Sequence, residues 1–155
     1  MARQNIQTYT VFLSSNHMPY QSVIFCEPRG YNNYQAVEVD IKKFIYFCEQ
    51  AGGIKIVPCV NKWSDEKREQ IKQFLSPPQK SQSYPELPVI SFNIRERVSH
   101  EKRFIFFKRN VRTIEKYVSF TDGRHRTRYL EFAGAKKIWV YCYKDDVKDL
   151  VEHCG

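Results

Sequence analysis

The sequence predicts a mixed α/β (α+β) domain, and three observations predict it. Short runs rich in β-branched and aromatic residues alternate with segments whose apolar residues recur at i, i+3, i+4 and i+7. The chain has 155 residues, enough for one compact domain and too few for two comfortable ones. Hydrophobic residues make up 42% and aromatic residues 15%, which permits a packed core and argues against disorder.

Residues 8–13 and 21–26 read as two strands, joined by the turn-like Ser15-Asn16-His17-Met18-Pro19 into a hairpin. Asp40 is placed to cap a helix running to about residue 50. Its apolar positions Ile41, Phe44, Ile45 and Cys48 share one face, and Gly52-Gly53 ends it. Residues 54–60 read as a short strand, held to a sheet edge by Pro58. Ser64 caps a second helix with Asp65 and Glu66 in its first turn, where negative charge suits the dipole. That helix is polar and offers little to a core beyond Ile71, Phe74 and Leu75.

Four of the seven prolines (Pro77, Pro78, Pro85 and Pro88) fall within residues 76–88. This segment reads as a stiff connection between two halves, or as a mobile flap. Residues 89–94 alternate as a strand, 104–107 form another, and 111–117 read as a helical turn. A strand at 118–121, a helix at 124–133 and a strand at 138–143 follow. Asp145 is placed to cap a last helix bearing Val147, Leu150, Val151 and Cys154 on one face. In the strand at 138–143, Ile138, Val140 and Cys142 face the helix. Trp139, Tyr141 and Tyr143 form an aromatic face, either core or a stacking surface.

The densest chemistry lies in Asp122-Gly123-Arg124-His125-Arg126. A strand runs into a glycine and a helix begins at once. The first N–H groups of a helix lack internal partners and carry partial positive charge. Arg124, His125 and Arg126 crowd that same end, an arrangement suited to an anion, most simply a phosphate. Asp122 is placed to cap the helix, orient an arginine or hold a metal. His125 can change charge near neutral pH and is the candidate acid or base. Structural roles for each of these residues stand beside the functional ones.

Net charge is +8, and its placement narrows the partner. From Arg95 to Lys137 there are 13 Lys/Arg and 5 Asp/Glu, leaving 12 of each sign elsewhere. The whole excess therefore lies in one stretch, which suggests nucleic acid, a nucleotide or an acidic protein surface. A solvated basic face is the plainer alternative. Arg95, Arg97, Lys108, Arg109 and Arg112 are the candidate nucleic-acid contacts. Five cysteines without a C-x-x-C pair, and His17, His100 and His153 without ligand spacing, point to no metal site. No apolar run approaches bilayer length and the first residues lack a signal-like apolar segment, so the expectation is a cytoplasmic protein without membrane insertion. There is no G-x-G-x-x-G and no Walker loop, so any ATP needs a different cradle.

The run T-D-G-R-H-R-T-R-Y-L-E-F-A-G-A-K-K-I-W-V resembles the phosphate-binding segment of the ParB/sulfiredoxin superfamily. With the upstream Pro88-Val89-Ile90-Ser91-Phe92, the form D-G-R-H-R-T-R is similar to plasmid fertility inhibition factors, the group that includes oncogenic suppression activity proteins. The likeness covers residues 88–143; residues 1–87 have no secure match. It implies a single ParB/sulfiredoxin-like domain with a small mixed sheet and flanking helices. It implies ATP and DNA as ligands, ATPase and DNase activity, and interference with DNA transfer through a type IV secretion channel. Gly123, Arg124, His125 and Arg126 match the phosphate-binding turn. Arg124 stands where sulfiredoxins have a catalytic cysteine, which removes sulfinic-acid chemistry.

The candidate catalytic residues are therefore His125, Arg126, Asp122 and Glu96, and the candidate phosphate ligands Gly123, Arg124, Arg126 and Arg128. ATP is the expected nucleotide, with Mg²⁺ beside it. The competing readings are a non-enzymatic inhibitor docking on a secretion or coupling protein, and a plain nucleic-acid-binding protein.

Overall fold

The computed structural model describes residues 5–14, 19–50, 56–78, 83–104 and 107–155, with the side chains of 101–108 excepted. Strands β1 (Thr8–Phe12) and β2 (Ser22–Cys26) pair antiparallel, as the alternating run predicts, although residues 15–18 of their connection lie outside the described residues. Strand β3 (Tyr34–Asp40) is absent from the sequence reading. Its alternation, Val37 and Val39 inward and Glu38 outward, is confined to its second half.

Asp40 then caps α1 (Ile41–Cys48), its carboxylate accepting from the Lys43 N–H at 3.0 Å. Ile41, Phe44, Ile45 and Cys48 are all buried, as their spacing requires. The expected strand at 54–60 does not form. Residues 54 and 55 lie outside the described residues, 56–59 are irregular, and Val60–Lys62 is a single 3₁₀ turn. Pro58 removes a ladder donor, while its carbonyl takes the Trp63 indole N–H at 2.8 Å. Ser64 caps α2 (Asp65–Leu75) as expected.

The proline-rich segment is tied down at its far end. Cys26 N–H donates to the Pro85 carbonyl at 2.9 Å, Leu87 N–H to the Cys26 carbonyl at 3.0 Å, and Leu87 is fully buried. Residues 79–82 lie outside the described residues.

Two long strands follow, β4 (Val89–Phe104) and β5 (Phe107–Asp122), paired antiparallel along almost their whole length. The helical turn expected at 111–117 is strand. Thr113, Ile114, Tyr117 and Val118 favour extended backbone, and each faces a β4 partner. Strand ends stand at Phe104 and Phe107, with residues 105 and 106 outside the described ones. Helix α3 (Arg124–Phe132), strand β6 (Lys137–Tyr143) and helix α4 (Val147–Cys154) complete the chain. The expected cap Asp145 sits in a 3₁₀ turn. The α4 boundary residue is Asp146, whose carboxylate accepts from the Phe92 N–H at 3.2 Å instead of capping.

The main sheet has the order β3-β6-β4-β5, antiparallel except for β4 beside β6. This is a small mixed sheet with flanking helices. One face carries Val37, Val39, Ile90, Phe92, Ile138 and Val140 against α1 and α4. The opposite face of β6 is aromatic: Tyr9 of the β1/β2 hairpin covers Trp139 at 5.0 Å, and Tyr34 of the neighbouring β3 stacks on Tyr141 at 5.7 Å. Trp139 and Tyr141 are thus core. One cluster of buried apolar residues joins both sheets and all four helices. Cys48, Cys142 and Cys154 are buried in it, and burial pushes the Cys142 and Cys154 thiols up to about 12, far from a reactive thiolate.

Candidate functional site

The turn that ends β5 and opens α3 is set by Gly123. Its φ is +91°, a conformation open to glycine. A Cβ on Gly123 would lie 2.7 Å from both Cα and Cβ of Pro88, so the backbone also needs the missing side chain. Pro88 cannot recede, because its carbonyl accepts the Tyr141 N–H at 2.8 Å in the sheet.

No side chain caps the start of α3. Asp122 instead accepts its neighbour's Gly123 N–H at 2.8 Å through Oδ1 and the Arg126 guanidinium at 2.6 Å through Oδ2. Of the three roles open to Asp122, the geometry supplies the orientation of an arginine. Arg126 is 8% exposed; it also donates to the Glu86 carbonyl and lies over the Phe74 ring, 5.8 Å from its centroid. The neutral Thr127 hydroxyl donates to the Gly123 carbonyl at 3.0 Å, closing the first turn from inside.

In front of this helix start is a cleft of about 570 Å³, lined by Ile71 and Phe74 of α2 and by Phe120 to Arg126. Gly123, Arg124, His125 and Arg126 all line it. Arg124 is exposed. His125 is half-buried with its ring edge-on to Trp63, centroids 5.5 Å apart. Burial, with Lys67 and Arg124 nearby, lowers the His125 pKa below its ordinary value. The neutral imidazole is favoured in the fold. Stability linked to this group is therefore full above the ordinary value and falls as pH drops through the lowered one. A ¹H–¹⁵N titration is expected to give His125 a midpoint below about 6.5, and His125→Gln to remove its share of the acid sensitivity seen in denaturation at successive pH values.

The other candidates lie elsewhere. Arg128 is 4% exposed and does not line the cleft. Its guanidinium donates to the Val57 carbonyl at 3.0 Å, Glu131 at 2.9 Å and Glu49 at 2.7 Å, clamping the end of α1 to α3. Glu96 lies seven residues along β4 from Val89, the partner of Asp122, so it is about 23 Å away. It sits opposite Ile114, 3.7 Å from Arg112. Arg95, Arg97, Arg109 and Arg112 all fall on the exposed outer part of the β4/β5 hairpin, remote from the cleft; the Lys108 side chain lies outside the described residues. His100, with its ring nitrogen 2.6 Å from the Asn110 amide oxygen, is there too. Among the described residues, no group of three His, Cys, Asp or Glu side chains could hold a metal.

Sequence reasoning missed Ile71, Phe74, Trp63 and Glu86. The signal for the first two was present: a polar helix showing isolated large apolar residues needs a neighbour for them, and that neighbour is the cleft. Trp63 and Glu86 reach the site only through the tertiary fold.

No helix among the described residues is long and apolar enough to cross a membrane. No curated protein and no solved structure matches the chain. The family model described as Plasmid Fertility inhibition factor matches residues 36–155. That span takes in most of β3, the long hairpin, the glycine turn, α3 and the central strand, and on it the chain belongs to the plasmid fertility inhibition factor family.

Proposed function

We propose that this fertility inhibition factor binds the phosphates of a nucleotide, ATP in the first instance, in the cleft at the start of α3. The observation that carries the reading is the uncapped α3 terminus with Arg124 beside it, opening on a cleft of about 570 Å³ that also presents the half-exposed Phe74 ring. Backbone N–H groups and a guanidinium suit the phosphates, and an aromatic ring suits a base. The cleft volume lies in the range of small-molecule sites. The relation to the ParB/sulfiredoxin phosphate turn belongs to this proposal, as does DNA as an alternative source of the phosphate.

Hydrolysis is its narrower part. His125, held neutral, accepts a proton from a water whose oxygen bonds the terminal phosphorus as the bond from that phosphorus to the ADP oxygen breaks, and Arg124 meets the charge developing on the phosphate. The residues present do not fit a protein-held Mg²⁺: both Asp122 oxygens are engaged and Glu96 is remote, so no step is assigned to a metal. In the cell the outcome is inhibition of plasmid DNA transfer, through the secretion channel or its coupling protein.

Titration with ATP, with and without Mg²⁺, tests the reading alongside phosphate release. Arg124→Ala is expected to weaken ATP binding about tenfold, at unchanged stability. Bound phosphate is expected to raise the His125 midpoint. Unaltered ATP affinity in both Arg124→Ala and His125→Ala would remove the cleft from the assignment. Full transfer inhibition by a variant unable to bind ATP would assign inhibition to protein docking.

A further inference from the structure

The long hairpin runs past the end of α1, where Ile114, Glu115 and Lys116 line a cavity with Tyr46, Phe47 and Gln50, and then leaves the body of the protein. Strand β6 pairs with β4 only at Val89 and Ile90, and among the described residues no other strand pairs with β4 or β5 beyond that point. From residue 93 to residue 117 the chain carries eight Lys/Arg and three Asp/Glu, most of the net positive charge of the molecule.

Its two faces differ in kind. The register places Ile94 opposite Lys116, Glu96 opposite Ile114, Val98 opposite Arg112 and, at its far end, His100 opposite Asn110 on the face that continues the core. On the other face, Ser91 meets Ser119, Asn93 meets Tyr117, Arg95 meets Glu115, Arg97 meets Thr113 and Ser99 meets Val111. That face is polar almost throughout. Near the body its groups bond one another: Asn93 Nδ2 donates to Ser119 Oγ at 2.8 Å, and the Ser91 and Ser119 hydroxyls are 2.9 Å apart. Farther out Arg95, Arg97, Ser99, Arg109 and Thr113 are exposed, and the half-buried Glu115 is held by Arg97 at 3.1 Å.

We propose that this polar face of the β4/β5 arm lies in the major groove of duplex DNA. The major groove is about 12 Å wide and about 8.5 Å deep, and admits a two-stranded β-ribbon. From Ser91 to Ser99 the face runs roughly 26 Å. Arginine, asparagine, serine and threonine side chains pointing one way supply donors for base edges and phosphates. The opposite face, with Ile94, Val98 and Ile114 half or more exposed, has the wrong chemistry for this role. The proposal does not rest on the cleft, since the arm carries none of the cleft residues.

The test compares two double variants that remove equal charge from opposite faces. Arg95→Ala with Arg109→Ala strips the polar face; Arg112→Ala with Lys116→Ala strips the apolar one. Binding of a fluorescent mixed-sequence duplex is followed by anisotropy across a salt series, with circular dichroism as a check on folding. The polar-face variant is expected to bind about 100-fold more weakly at about 0.15 M salt. Its salt slope should flatten by about two, because each neutralised phosphate contributes roughly 0.9. Arg112, a nucleic-acid candidate on sequence grounds, is taken off the proposed face by its register opposite Val98, so the apolar-face variant should stay within about threefold of the parent. Equal losses in both variants would mean that net charge alone attracts DNA, and would overturn the proposal. Single-stranded DNA competing as well as duplex would overturn it too, as would a parent protein that binds no duplex. ATP binding should persist in both arm variants and duplex binding in Arg124→Ala, so failure of one site is readable apart from failure of the other.

Discussion

Gly123→Ala is expected to destabilise the fold by at least about 3 kcal/mol in chemical denaturation, and to abolish the cleft. Two costs add at this position. An alanine there must take up a φ of +91°, and its Cβ must enter the space held by Pro88, 2.7 Å from two of its carbons. Neither cost is relieved by a rotamer change, because alanine has none and the contacted Cα is backbone. Pro88 is itself held in the sheet by Tyr141. Gly30 separates the two terms: its φ is +85° and nothing lies within 4 Å of the position of its Cβ. Gly30→Ala should therefore cost only about 1 kcal/mol, the conformational part. Equal losses at the two glycines would show that the approach to Pro88 carries no weight.

Arg128→Ala is expected to cost about 3 kcal/mol while leaving ATP affinity per folded molecule unchanged. The guanidinium is buried and holds three partners from separate segments: Glu49 at the end of α1, Glu131 in α3 and the carbonyl of Val57 between them. Truncation leaves that carbonyl without its donor and opens a gap in the packing. The two carboxylates reach solvent, at 51% and 38% exposure, which keeps the loss below that of a fully buried pair. Arg128→Lys should recover little, since one ammonium cannot span three acceptors in the guanidinium plane. A fall in ATP affinity with stability intact would return Arg128 to the phosphate site. Arg124→Ala is its mirror image, moving binding and not stability.

The cleft could be read in the sequence only to the extent that it is local. Asp122, Gly123, Arg124, His125 and Arg126 are consecutive, so a glycine followed by three basic residues at a helix start declares itself. The same local logic recovered the Asp40 and Ser64 caps and the buried stripe of α1. It had no means to tell Arg126 and Arg128 from Arg124. Three arginines at alternate positions look alike in the sequence, yet two are buried against carboxylates and one faces solvent. What separates them is the position of Glu49, Val57 and Glu86, all distant along the chain. Strands β3 and the outer part of β5 were missed for the opposite reason. Their apolar alternation is interrupted by charges because those residues face water, and a half-exposed ribbon carries a weak period-2 signal.

The order of strands also governs when this protein can fold. Strand β6, which follows the other described strands in the chain, lies between β3 and β4, and pairs Tyr34 with Tyr143 across more than a hundred residues. Until β6 has left the ribosome, β3 and β4 have no shared neighbour, and the core face lacks Ile138 and Val140. The arm, by contrast, joins adjacent stretches of chain and can zip up at once. Pairing within the arm therefore closes a short loop, whereas closure of the sheet is set by long-range strand pairing.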